Sequence, residues 1–425
     1  MNNQPNLHQL TDRLFRHEAG KMVSVLAKIF GASNLETAED VVQQTFMDAI
    51  NVWKFKGVPD NPSAWLFRVA KNKAIDIIRR NKYSVQYDFS GDERILLTSE
   101  YSMEATMENL FNVETIKDDM LRMMFACSNP GISGESQITL ILKTLCGFST
   151  AEIAKTFLTS EDTISKRLYR TRDFFRKEKI KLEIPSSGDL KSRTDAVLRS
   201  IYLLFNEGYN STHSEKLIRE DLITEAMLLC KLLTENKQTQ LPQVYALMAL
   251  MCFHSARNKS RLTSAGEIIL LTKQDRSKWD FNLIVEGNRY MNIAAFGNEI
   301  SSYHIEAAIA FEHCTAESFG KTNWEQILKL YEWLCAISPS PIAELNKVVA
   351  IMEALGADKA LQAMEEISNL EKIKSFYLYP SLLGEIHSRL HHPTEAKKYF
   401  EMAINLTKSE NEKKLLQNKI AALLN

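Results

Sequence analysis

Residues 149–181, STAEIAKTFLTSEDTISKRLYRTRDFFRKEKIK, read as two helices joined by a tight turn. Ser149 and Glu152 have the Ser-x-x-Glu spacing of a capping box, in which each side chain satisfies a backbone amide that the helix start leaves open. Ile153, Ala154 and Phe157 give the first helix an apolar face. Thr159 and Ser160 form the turn, and Ser160 stands where it can cap the second helix. That helix places Ile164, Leu168 and Phe175 inward, and its outer face carries Lys166, Arg167, Arg170, Arg172, Arg176, Lys177, Lys179 and Lys181. Hydroxyls and amines at the start of a second helix, followed by a basic tail, suit a helix-turn-helix that enters a major groove and holds phosphates. A solvated amphipathic hairpin has the same periodicity, so the stretch alone leaves both readings open.

Charge is segregated upstream of this stretch. Arg68, Lys71, Lys73, Arg79, Arg80 and Lys82 face only Asp76 between residues 63 and 82. The balance then reverses, and Asp88, Asp92, Glu93, Glu100, Glu104, Glu108, Glu114, Asp118 and Asp119 face Arg94 and Lys117. Two basic modules joined by an acidic strap are thus hidden inside a net charge of -1. The 425 residues, 45% hydrophobic and 25% charged, predict a globular chain of two or more domains. The cysteines, Cys127, Cys146, Cys230, Cys252, Cys314 and Cys335, form no C-x-x-C pair and read as buried free thiols. The start, MNNQPNLHQLTDR, has neither a basic n-region nor a long apolar run, and no window approaches the roughly 20 apolar residues of a membrane span. A cytoplasmic protein is expected.

The first 82 residues have helical periodicity. Leu10, Leu14, Met22, Val25, Leu26 and Ile29 define one amphipathic helix that ends near Gly31. LETAEDVVQQTFMDAINVW follows, with Thr37 as the expected cap. Val41, Thr45, Ile50 and Trp53 are its expected inward positions, and Glu39, Asp40, Gln43 and Gln44 its exposed ones. Gly57, Pro59 and Pro62 break the chain before AWLFRVAKNKAIDIIRRNK, whose inward set is Leu66, Val69, Ile75 and Ile78. Its other face interleaves amides with cations, and Trp65 stands at its start. That combination suits unpaired bases beside phosphates, although a lone tryptophan is more often a core anchor.

AEDVVQQTF followed by PSAWLFRVAKNKAIDIIRR resembles the second conserved region of extracytoplasmic-function RNA polymerase sigma factors, in the sigma-70 superfamily, and the helix-turn-helix resembles their fourth region. The resemblance implies a sigma factor that docks on the clamp helices of the largest catalytic subunit of core RNA polymerase and directs it to promoter DNA. It makes Asp40, Gln43 and Gln44 the polymerase-contact candidates. Trp65, Arg68, Lys71, Asn72 and Arg79 become candidates for reading the −10 element, and Thr163, Ser165, Lys166, Arg167 and Arg170 for the −35 element. The family's turn usually has glycine where this chain has Leu158, which leaves the orientation of the recognition helix open. The implied domains are residues 1–82, a flexible acidic linker 83–115, and residues 116–184. The linker is either a soluble tether or, by the resemblance, a nucleic-acid mimic threading polymerase channels.

Pro185 and Gly188 mark a boundary, and residues 190–425 read as an almost wholly helical extension, so the expected fold is all-α. PIAELNKVVAIMEALGADKALQAMEEI and SFYLYPSLLGEIHSRLHHPTEAKKYFEMAINL align Ala360 with Ala396 and Met364 with Phe400. Their offset is close to the tetratricopeptide period of about 34 residues. Repeats of this kind bury a core only by stacking and leave a face for a protein or small-ligand partner. With YLLFNEGYNST, GEIILLTKQDRSKWD and YHIEAAIAFEHC, the chain resembles the sigma subgroup that carries a tetratricopeptide-like extension, implying that the extension modulates activity. Glu207, Asp221, Asp275, Arg276, Asp280, His304 and His313 lack metal-site or phosphate-loop spacing, so no enzyme, cofactor or metal is expected. Buried ion pairs or satisfied helix ends explain these residues more simply. A stand-alone helix-turn-helix regulator is the rival reading, and residues 38–80 argue against it, because such a regulator needs neither a polymerase-docking helix nor a base-capturing one.

Overall fold

The computed structural model describes residues 7–81, 107, 109–157, 159–185, 187–210, 217–264, 266–367, 374, 376–407 and 409–423. Residues 83–106 of the acidic strap, and Leu158, lie outside them. Among the described residues the secondary structure is helical, apart from an isolated bridge between Leu262 and Ile268, so the fold class is all-α. The chain forms two compact units, Met1–Leu204 and Phe205–Asn425.

The first unit begins with α1 (Leu7–Phe30), which ends where Gly31 takes a φ of 85°, a backbone conformation costly for any residue with a Cβ. Helix α2 (Leu35–Lys56) starts after Asn34, three residues earlier than a Thr37 cap would place it. Asn34 Nδ2 donates to the carbonyl of Phe30, tying the start of α2 to the end of α1. Helix α3 (Pro62–Asn81) buries Leu66, Ala70, Ala74, Ile75 and Ile78. Then come α4 (Val113–Cys127), α5 (Gly134–Thr144), α6 (Thr150–Thr156), α7 (Glu161–Lys177) and α8 (Ser187–Tyr209). The division between the units falls inside α8. Its first turns belong with the first unit, where Arg193 donates to the carbonyl of Phe125.

The two basic modules pack against each other within the first unit, and α1 is the shared surface. Gly20 marks a close approach: a Cβ there would lie 2.1 Å from the carbonyl oxygen of Leu145. Burial of Met22, Val25, Leu26 and Ile29 in α1, and of Met123, Met124, Phe125 and Leu140 in α4 and α5, supplies the apolar cohesion.

In the second unit, α9 (Glu220–Glu235), α11 (Phe281–Ala294) and α12 (Ser302–Thr315) pack on α10 (Pro242–Ala256). Helix α10 is apolar nearly all round and is buried from Val244 through Phe253 except at Tyr245, as a central helix must be. Helices α13 (Trp324–Ile337), α14 (Pro341–Leu355), α15 (Ala357–Glu365), α16 (Leu378–Arg389), α17 (Pro393–Leu406) and α18 (Glu410–Ala422) continue the array. Ala360, Ala396, Met364 and Phe400 are all buried, and Gly384 lets the ring of Phe400 approach α16 closer than any Cβ would permit. Cys335 is only half-buried, whereas the other cysteines are buried free thiols.

Candidate nucleic-acid interface

The local chemistry of 149–181 forms as its spacing requires. Glu152 accepts from the Ser149 amide at 2.8 Å, and Ser149 Oγ accepts from the Glu152 amide at 3.2 Å. Burial alone would raise the Glu152 carboxyl, but Arg16 at 2.5 Å and the Ser149 amide bring it down to about 2. Ser160 Oγ accepts from the Thr163 amide at 3.2 Å and caps α7. Ile164, Leu168, Thr171 and Phe175 form the buried stripe of that helix.

The basic face of α7 divides in two. Thr163, Ser165, Lys166 and Arg170 are exposed, and Lys166 pairs with Asp162 at 2.7 Å, one turn away. Thr163, Lys166 and Arg170 line an open cleft with Asp162, Arg167 and, from the start of α5, Ser133 and Ser136. Such a surface can offer amines, a guanidinium and hydroxyls to phosphates and base edges. Arg167, by contrast, turns inward. It bonds Glu135 and, at 3.2 Å, Thr139 Oγ1, and its guanidinium lies 5.1 Å from the centre of the Phe157 ring. Arg172 and Arg176, expected on the outer face, reach α2: Arg172 bonds Glu39 at 2.5 Å and Arg176 bonds Glu36 at 3.1 Å.

Glu39 is therefore not on the exposed face of α2. It stands four residues after Leu35 and three before Val42, both buried, so helical periodicity does place it on the inner stripe. Burial pushes its carboxyl above the usual carboxylate range, against the pull of Arg172, Lys143 and Thr144. Burial likewise pushes Lys143 down. Further along this seam, Lys28 lies 3.4 Å from Asp119, whose carboxyl burial raises to about 6. Ser33 Oγ is 3.5 Å from the carbonyl of Phe175.

Asp40, Gln43 and Gln44 are exposed on α2, and Gln44 donates to Asp48 at 3.0 Å. Asp48 also pairs with Lys73 of α3 at 2.8 Å; burial would raise its carboxyl, but Lys73 and Gln44 hold it below the usual range. On α3, Arg68, Asn72 and Arg79 are exposed and Lys71 is half-buried. Trp65 is an anchor rather than a free ring: it meets the buried Trp53 edge-on at 5.4 Å.

In the second unit Asp275, Asp280 and His304 serve helix starts, while Asp221 pairs with Arg219 at 2.9 Å. Asp280 accepts from the Asn282 and Leu283 amides at the start of α11, Asp275 accepts from the Ser277 amide, and His304 forms a capping box with Ser301. Arg276 donates to the carbonyls of His313 and Ala316 at the end of α12. Among the described residues there is no group of three metal-ligating side chains, and no helix is long and apolar enough to cross a membrane.

Comparison with known proteins adds the lineage. Residues 14–83 match the model of sigma-70 region 2, and residues 193–295 match a family of unknown function (DUF6596). The chain is 26% identical over 153 residues to the ECF RNA polymerase sigma factor SigW of Bacillus subtilis, covering 34% of this chain and 76% of that protein. It is 28% identical over 143 residues to the RNA polymerase sigma factor YlaC of the same organism, covering 33% and 75%. No solved structure matches. An uncharacterized protein of Rhizobium meliloti is 33% identical over 379 residues, 89% of this chain and 88% of that one. The chain is thus a sigma-70 family member and belongs, along nearly all of its length, to the same family as the Rhizobium meliloti protein.

Proposed function

We propose that the chain is a dissociable specificity subunit of RNA polymerase that docks on the clamp helices of the largest catalytic subunit and has no chemistry of its own. The observation that carries this is the sigma-70 region 2 match, which spans α2 and α3 in a chain that also folds a capped basic helix-turn-helix. Asp40, Gln43 and Gln44 are the docking side chains, on a face of α2 that the first unit leaves exposed. Arg68, Lys71, Asn72 and Arg79 meet the −10 element, with Trp65 a positioning anchor. Thr163, Ser165, Lys166 and Arg170 read the −35 element, and Arg167 positions the cleft. The domain plan is residues 1–82 for docking and −10 reading, 83–115 as linker, 116–184 for −35 reading, and 190–425 as a tetratricopeptide-like extension that modulates activity in the cytoplasm.

Transcription with purified core polymerase on a randomised promoter library tests this. The full chain selects two elements at a fixed spacing. Asp40→Arg with Gln43→Ala weakens capture by the catalytic subunit while the circular dichroism stays unchanged. Unchanged capture by that double variant would refute the docking assignment, and the absence of any selected promoter would refute the function.

A further inference from the structure

The second unit gathers cations for which the described residues supply no carboxylate. The end of α10 brings His254 and Arg257, the connection after it brings Arg261, Arg276 and Trp279, and α12 brings His313. The guanidinium carbons of Arg257 and Arg276 lie 5.5 and 4.4 Å from the centre of the Trp279 ring. Arg261 stacks 3.6 Å over Tyr209, whose ring is 4.9 Å from that of His254.

Part of this charge is met. Arg276 Nη1 donates to two carbonyls at the C-terminal end of α12, each at 2.7 Å. Arg261 Nη1 donates to the Tyr209 carbonyl at 2.5 Å, and Arg257 Nε to Gln274 Oε1 at 3.4 Å. Helix ends and carbonyls carry only partial negative charge. The nearest acids in sequence are engaged elsewhere, Asp275 with Ser277 and Lys278, and Asp280 with the start of α11. Burial first, then Arg257 and Arg261, push His254 down to about 3; burial, Arg257 and Arg276 push His313 down to about 4. Both imidazoles are therefore neutral at neutral pH, and each still has one N–H to donate.

A second observation is independent of charge. Arg276 Nη2, Trp279 Nε1, His254 Nδ1, His313 Nδ1 and Asn258 Oδ1 are all buried with no hydrogen-bond partner among the described residues. Buried polar atoms are nearly always bonded, so unmet atoms gathered in one neighbourhood ask for an absent partner. Arg276 and Trp279 are donors only, and each imidazole nitrogen is a donor in one tautomer.

We propose that this neighbourhood binds a small oxyanionic metabolite, through a phosphate group or a pair of carboxylates, with Arg257, Arg261 and Arg276 supplying charge and Trp279, His254 and His313 supplying neutral donors. Guanidinium forks suit tetrahedral and planar oxyanions alike, and two of them, Arg257 and Arg276, share the Trp279 ring. The site stands on second-unit residues alone and does not depend on the sigma-factor reading.

Titration calorimetry on the full chain at constant ionic strength tests it, with inorganic phosphate, pyrophosphate and citrate as probes and chloride as the balancing salt. At least one probe gives saturable heat. Arg257→Gln and Trp279→Phe each weaken that binding by about tenfold or more, the loss expected of one charge-assisted bond or one buried donor. Arg170→Gln, on the exposed face of α7, leaves it unchanged, which separates this site from phosphate contacts on the basic helix. A response to phosphate or pyrophosphate without citrate assigns a phosphorylated ligand, and a stronger response to citrate assigns a polycarboxylate. Should Arg257→Gln fail to fold, Trp279→Phe decides alone, since it deletes a donor and keeps an aromatic ring. No saturable heat from any probe, or heat lost in Arg170→Gln and kept in Trp279→Phe, overturns the proposal.

Discussion

Substituting Glu39→Gln should loosen α7 from α2 without unfolding either. Glu39 is the carboxylate partner of Arg172 on this seam, and the two side chains are only 13% and 20% exposed. Removing one charge leaves Arg172 buried beside Lys143, a like charge that acts on the same carboxyl. Breaking a fully buried ion pair costs about 3–5 kcal/mol, and the residual exposure of Arg172 brings the expectation to about 2–3 kcal/mol. At about 1.4 kcal/mol per tenfold, native-state hydrogen exchange of the α7 amides should accelerate roughly 30- to 140-fold. Peptides from α14, in the other unit, serve as the unchanged control. Burial raises Glu39 despite the pull of Arg172 and Lys143, so desolvation of the carboxylate outweighs the attraction it gains. Replacing both partners, Glu39→Leu with Arg172→Met, should therefore restore exchange to within about fivefold of the parent. Exchange in Glu39→Gln within about threefold of the parent, or a double variant as fast as the single one, would refute the reasoning.

Three further outcomes follow from the same geometry. The Asp119 carboxyl, raised to about 6 by burial, binds its proton more tightly in the folded state; its contribution is full below about pH 4 and is lost as pH rises through about 6. Asp119→Asn should thus leave the thermal midpoint unchanged near pH 4 and stabilise at pH 8 by up to about 3 kcal/mol, read from a midpoint-against-pH series. Lys166→Ala or Arg170→Ala should cost roughly 1–3 kcal/mol at one promoter base in holoenzyme competition binding, whereas Arg167→Ala, tied to Glu135 and Thr139, should lower the thermal midpoint and leave base preference intact. Gly20→Ala should destabilise the first unit by at least about 1–3 kcal/mol in denaturant titration, because the clashing atom is a backbone carbonyl that cannot rotate away.

Much of this was legible in the chain. The capping box at Ser149, the stop at Gly31 and the inward stripe of α7 depend on local spacing, and local spacing is what a sequence displays. The joint between the modules was not, because it is made between residues more than a hundred positions apart: Arg16 with Glu152, Glu39 with Arg172, Gly20 with Leu145. Glu39 shows the limit well. Its polarity argued for the surface and its period argued for the core, and the period decided because a cation was waiting inside. Arg167 and Arg172 were misplaced for the matching reason, since a run of cations on a helix reads as one solvated face until their partners are known. In the second unit, Asp275, Asp280 and His304 proved to serve helix starts, a role that local sequence does suggest. The convergence of Arg257, Arg261 and Arg276 had no such signal, because none of them shares a motif with the others.

The shared surface of α1 also limits how this protein could be re-engineered. A helix-turn-helix transplanted from a relative to redirect promoter choice would bring its own residues to the positions of Leu145, Glu152, Arg172 and Arg176, and each of these is matched to a residue of the first module. A viable chimera must keep that matched set or import both halves together. The positions open to recoding are the exposed ones, Thr163, Ser165, Lys166, Tyr169 and Arg170, which among the described residues make no ion pair with the first module. On the proposed function, promoter preference would be rewritten along one edge of a helix whose other edge is committed to its ion pairs with α2.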